Sequence, residues 1–230
     1  MSSVPSRRAF LRHLGIGGAG LFALPLLSAC NDDPIDPTLR ATIDLRNDSG
    51  ALNFASLLQQ IQYEFYATSF AVYQGYVGVS ALEFTVLQRL WTHHSGVRNL
   101  FRRVTPKPIE ALGLQFNFNN VDFSNRGSVL GYAVELEDIA TAAMHGVLRH
   151  APDPETLTML AKIASVEARH SATLRDLVDI GAGRANTTGR TNFASDDVVL
   201  ANGANRLLTP AQAIELLRPR FTTVVTFREA

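Results

Sequence analysis

The chain of 230 residues has one cysteine, Cys30, so no disulfide can form within it. Its folded part must be held by packing alone. It also lacks an excess of either charge, with 21 basic and 21 acidic residues and a formal net charge of zero. No basic field attracts nucleic acid and no acidic tail is present. A nucleophile–base arrangement, a phosphate loop and a dinucleotide fingerprint are all missing, which leaves hydrolase or kinase chemistry without support. Low-complexity tracts and internal repeats are absent too. Strand signals are few: "DDVVLAN" and "FTTVVTF" read as short strands or extended arms, not as the basis of a sheet.

What is present begins with an address. In "MSSVPSRRAFLRHLGIGGAGLFALPLLSAC", Arg7 and Arg8 stand before a Phe-Leu pair and a further Arg. The stretch resembles the twin-arginine export signal. A Gly-rich, weakly apolar run follows from Leu14 to Leu27, too short to span a bilayer but suited to a signal h-region. Leu27-Ser28-Ala29-Cys30 resembles a bacterial lipobox, in which the signal is cut before a cysteine that then receives a lipid. Residues 1–30 are therefore expected to be a lipoprotein signal. Cys30 would be the lipidated residue, and the membrane would be a partner through that lipid, at the periplasmic face of the cell envelope. Residues 31–48 begin "NDDPIDPTLR" and read as a flexible tether.

Four helices are expected between 49 and 182. Apolar residues recur at helical spacing from Leu52 to Tyr76, including Phe54, Leu58, Ile61 and Phe65. Ser80 opens a second helix carrying Leu82, Leu87, Leu90 and Leu100, and "TPKP" stops it. A third runs from Ser128 to Arg149. Pro154 fits the first position of a fourth, which ends near Ile180. A long connection, Ile109 to Gly127, joins the two hairpins. This arrangement fits an all-α, ferritin-like four-helix bundle with its long connection between helices 2 and 3. The Gly-, Asn- and Thr-rich stretch 183–230 reads as an irregular extension wrapping the bundle, with one short helix at Pro210–Arg218.

Glu167 and His170 lie three residues apart in "SVEARHSATLRDL", one turn apart on one helix face. Together with "LNFASLLQQIQYEFY" (52–66) and "ELEDIATAAMHG" (135–146), this stretch resembles the ferritin-like domain family of exported and desiccation-related proteins. The family's corresponding forms are "VEARHAAxLR", "LNFALxLEYLEAxFY" and "LEDxxxAAYxG". The resemblance implies a metal site on the inner faces of the helices, holding two ions when the ligand set is complete. Glu137, Glu167 and His170 match family ligands. Gln59 and Gln62 stand where the family has Glu. In the second helix, aligned on Val97-Arg98, His93 replaces the family's Glu and Gly96 its His. The implied metal residues are thus Glu137, Glu167, His170 and His93, with Gln59, Gln62, Tyr66 and His94 at neighbouring or degenerate ligand positions.

Two carboxylates balance one divalent ion, not two, because uncompensated charge in an apolar bundle is prohibitively costly. A mixed nitrogen and oxygen shell suits one Fe, Mn or Zn. Two readings stand at this point. In one, the site is degenerate and the protein is a non-catalytic, structural or stress-related envelope protein with no metal. In the other it is a mononuclear metal protein with an oxidative or metal-handling role. Enzyme activity, protein partners and homo-oligomerisation are left open.

Overall fold

The computed structural model describes residues 40–73, 80–109, 114–181 and 198–228. The expected export segment, with Arg7, Arg8 and Cys30, lies outside these residues, as do most of the tether and 183–197.

Four long helices make the body: α1 (Asp48–Tyr73), α2 (Ala81–Val104), α3 (Arg126–Val147) and α4 (Pro154–Gly181). Each start has a local cause. Asn47 accepts from the Gly50 amide with Oδ1 at 3.1 Å, ahead of α1. Ser80 and Asn125 accept from the amides of Glu83 and Ser128, capping α2 and α3. Asp153 accepts from the Thr156 amide at 2.7 Å, with Pro154 opening α4. The α2 helix stops at Thr105, one residue ahead of Pro106.

The α1 helix packs chiefly on α2, and α3 chiefly on α4, giving two hairpins side by side. Phe54, Leu57, Leu58, Ile61 and Phe65 of α1 are buried against Leu130, Leu136, Met144 and Val147 of α3 and Leu160 and Leu174 of α4. Full burial of each such side chain stabilises by about 1.5–3 kcal/mol. The long connection closes the bundle. Its Phe118 and Phe123 lie against Phe65, with ring centroids 5.7 and 6.0 Å away.

Two short strands flank the helices. β1 (Arg40–Asp44) pairs in parallel with β2 (Val224–Arg228), with Arg40 opposite Val224 and Asp44 opposite Arg228. The end of the expected tether is therefore structured. Ala41, Ile43 and Leu45 alternate with polar residues, and this short period-two pattern buries all three. Phe227 meets Phe54 edge-on at 5.8 Å, so "FTTVVTF" supplies a real strand seated on α1. Gly50 is required here, because a Cβ would sit 1.7 Å from the Asp44 carbonyl oxygen.

The C-terminal extension is fastened to α3. Leu208 donates its amide to the Ala142 carbonyl at 3.0 Å and crosses Gly146, where a Cβ would lie 1.7 Å from the Leu208 oxygen. Then comes α5 (Pro210–Leu217), started by a capping box of Thr209 and Gln212. The buried Arg220 donates to the Tyr132 hydroxyl at 2.8 Å and pairs with Glu135 at 2.7 Å. Among the described residues, no helix is long and apolar enough to cross a membrane.

Candidate metal centre

In the middle of the bundle the apolar core gives way to a buried polar layer. The α1 helix contributes Gln59, Gln62 and Tyr66, all without solvent exposure. Their i, i+3, i+7 spacing puts them on one face. From α2 comes His94, from α3 Glu137, and from α4 Glu167 and His170, one turn apart. His94, Glu137, Glu167 and His170 each offer a ligand atom, and these atoms lie within 4.8 Å of one another.

The hydrogen bonds run in a defined direction. Gln62 Nε2 donates to both carboxylates, to Glu137 Oε2 at 3.0 Å and Glu167 Oε2 at 2.8 Å. Its carbonyl oxygen accepts from Gln59 Nε2 at 3.2 Å, and Gln59 Nε2 also reaches Glu167 Oε1 at 3.0 Å. Gln59 Oε1 is left to accept, and His94 Nδ1 lies 3.0 Å away. His94 therefore carries a proton on Nδ1. Its Nε2 faces Glu137 Oε1 at 2.9 Å, which also accepts from the Tyr66 hydroxyl at 2.8 Å. Tyr66 stacks on the His94 ring, 5.3 Å between centroids and 2° from parallel.

His170 joins this layer to the surface. Its Nε2 is 3.0 Å from Nδ1 of the exposed His93. Its Nδ1 is buried, lacks a hydrogen-bond partner, and lies 3.8 Å from Glu137 Oε2.

Burial sets the protonation. It pushes Glu137 up to about 8, against hydrogen bonds from Tyr66 and Gln62 that favour the ionised form. It pushes Glu167 up to about 7, where nearby His94 opposes the rise and Glu137 adds to it. His170 is driven down to about 3 by burial and then by the neighbouring His94 and His93. His94 is lowered by burial, and the Tyr66 hydroxyl is raised well above its ordinary value by burial and by Glu137. His94 Nε2 and Glu137 Oε1 thus face one another as groups that burial drives toward their neutral forms.

These residues fit one divalent ion. Two carboxylates cancel its charge and two imidazoles complete a nitrogen and oxygen set suited to Fe, Mn or Zn. The buried Nδ1 of His170 lies beside the carboxylates and has no hydrogen-bond partner among the described residues, so it is available as a ligand atom.

The sequence model of the family described as ferritin-like domain matches residues 47–179, more than half of the chain. The chain belongs to the ferritin-like domain family. No curated protein and no solved structure matches it.

Within this ferritin-like bundle, Glu137, Glu167 and His170 meet in one cluster. The fourth member is His94 and not its neighbour His93. Alignment on Val97-Arg98 singles out His93, but burial follows a different register. His94 shares a stripe with Leu87, Leu90 and Phe101, at i−7, i−4 and i+7, and all three are buried. That spacing was the available signal. Gln59, Gln62 and Tyr66 all touch the carboxylates directly. Glu64 is not drawn in; it is half-buried and accepts from Gln60. His145 and His150 also stand apart, near Asn205 and the Leu45 carbonyl respectively.

Proposed function

We propose that this protein is a mononuclear metal-binding member of the ferritin-like family, anchored to the cell envelope, with an oxidative or metal-handling role. One observation carries the reading: His94, Glu137, Glu167 and His170 converge from three helices, fully or almost fully buried, with two carboxyl groups and no more among them. In this reading Glu137 and Glu167 supply the charge. His94 Nε2 and His170 Nδ1 supply nitrogen lone pairs. Gln59 fixes the His94 tautomer by accepting from Nδ1–H, the usual outer-layer support of a ligating histidine. Tyr66 holds Glu137 in place through its hydroxyl. A bound Fe or Mn would supply one-electron chemistry, and Zn would supply Lewis acidity.

The address supports an envelope location. Arg7-Arg8 ahead of Phe-Leu, and Cys30 closing Leu-Ser-Ala-Cys, suit export followed by lipidation. Export signals of the twin-arginine type carry folded proteins, which suits a chain loaded with metal before it leaves the cytosol. Mass spectrometry of the membrane-extracted protein is expected to find a new N-terminus at an acylated Cys30. Its Cys30→Ala variant is expected to keep the signal and lose the lipid. An unprocessed wild-type chain would contradict the anchoring.

A second reading has its own observation. Every oxygen of Glu137 and Glu167 already has a hydrogen-bonding neighbour among Tyr66, His94, Gln59 and Gln62. A closed polar network of this kind can stand without an ion and serve a purely structural protein. Elemental analysis of the full chain, purified in detergent without chelators or a His-tag, separates the two. About one Fe, Mn or Zn per chain, lost in Glu167→Ala and His170→Ala, is expected. A folded wild type that takes up no metal on reconstitution leaves the structural reading.

A further inference from the structure

The polar layer holds two residues that ligation by His94, Glu137, Glu167 and His170 does not itself use. Gln59 and Gln62 are fully buried, and burying two amides in an apolar bundle is costly unless every donor is placed. Every donor is placed. The two hydrogens of Gln62 Nε2 go to Oε2 of Glu137 and Oε2 of Glu167, so one amide bridges both carboxylates. The two hydrogens of Gln59 Nε2 go to Glu167 Oε1 and to the Gln62 carbonyl. A bridging group between two carboxylates is a role that a cation can also fill. Here a neutral amide fills it, supplying two N–H donors and no charge.

We infer that Gln59 and Gln62 limit this centre to one ion: Gln62 occupies the bridging face of the carboxylate pair, and the two amides bring none of the negative charge a second ion needs. The inference rests on the metal-binding reading above. Both effects act together. A second divalent ion must displace the Gln62 clamp, leave its two buried N–H donors without their carboxylate acceptors, and leave the layer with two uncompensated positive charges. The amide orientations are not interchangeable. Turning Gln62 over would aim its carbonyl at two carboxylates, and turning Gln59 over would aim its carbonyl at Glu167 Oε1 and the Gln62 oxygen. The clamp is therefore a single arrangement rather than one of several.

The test is a count of ions under titration. Full-length chain in detergent is stripped with chelator, titrated separately with Zn(II) and Mn(II), and read by native mass spectrometry beside circular dichroism. The wild type is expected to saturate at one ion. The double variant Gln59→Glu, Gln62→Glu adds two anions and removes the clamp, and is expected to saturate at two. Gln59→Glu alone adds one anion and keeps the clamp, and is expected to stay at one. If the double variant folds only with metal present, it is refolded in excess Zn(II) and counted after gel filtration. A double variant that is folded and still holds one ion overturns the inference and leaves the metal-binding reading intact. Two ions in the wild type or in Gln59→Glu overturn it as well. A folded wild type that takes none overturns the metal-binding reading and this inference with it.

Discussion

The two helical hairpins bring unequal chemistry to the same layer. The α3–α4 pair supplies Glu137, Glu167 and His170, and with them both carboxyl groups of the centre. The α1–α2 pair supplies Gln59, Gln62, Tyr66 and His94, none of which is anionic. The α3–α4 side is built to hold a charge, and the α1–α2 side is built to orient the groups that hold it. Gln62 spans both carboxylates, Tyr66 fixes one, and Gln59 selects the tautomer of His94. The layer thus holds two carboxyl groups and no more acidic side chains, and the two amides beside them place all four of their N–H donors.

The sharpest break of this asymmetry is on the charged side. Glu137→Gln leaves one anion for a divalent ion. Metal affinity is expected to fall more than a hundredfold, about 3 kcal/mol or more, in a competition titration against a chromogenic chelator. His94→Ala is expected to do the same from the other hairpin, since His94 is its one cluster member. Next in size is the clamp. Gln62→Leu leaves Glu137 and Glu167 each short of one donor, and the metal-free protein is expected to lose about 2–3 kcal/mol in urea denaturation. A neutral result would mean that the carboxylates find other partners.

The pH response separates the two sides without mutation. Folded Glu137 and Glu167 titrate at about 8 and about 7, above their ordinary 4.5. Their stabilising contribution is complete below 4.5 and is lost as pH rises through those values. His170 runs the other way. Pushed down from 6.5 to about 3, it contributes fully above 6.5, and its share is lost as pH falls. Of these three groups, only the two carboxyls still titrate differently in the folded and unfolded chain above 6.5. Metal-free stability is therefore expected to drop between pH 6.5 and 8, by up to about 1.4 kcal/mol per pH unit for each proton released. A saturating divalent ion is expected to remove that drop. The smallest effect belongs to His93, which meets the outer nitrogen of His170 and stacks on its ring from the exposed side. His93→Ala is expected to weaken metal binding by about tenfold or less, against the near-complete loss in His94→Ala.

That pair of histidines shows how far the sequence could be read. The four helices followed from apolar periodicity and from Ser80 and Pro154 as starts, because each signal is local. Glu167 and His170 followed from i, i+3 spacing on one face, and Glu137 from its motif. His93 against His94 needed the register of α2. A one-residue shift turns a side chain by about 100°, and only the buried stripe of Leu87, Leu90 and Phe101 fixes it. The β1–β2 pair was hidden for another reason. Its partners lie 184 residues apart, and neither five-residue strand means much without the other. The Gln62 clamp was equally invisible, since a glutamine in a helix gives no sign of bridging two carboxylates from other helices.

Native mass spectrometry of the stripped and then Zn(II)-saturated full chain is the most direct measurement. A folded protein that gains the mass of one zinc ion, with Glu167→Ala gaining none, is the expected result. A folded wild type that gains none, or gains two, contradicts a mononuclear centre built from two carboxylates and two histidines.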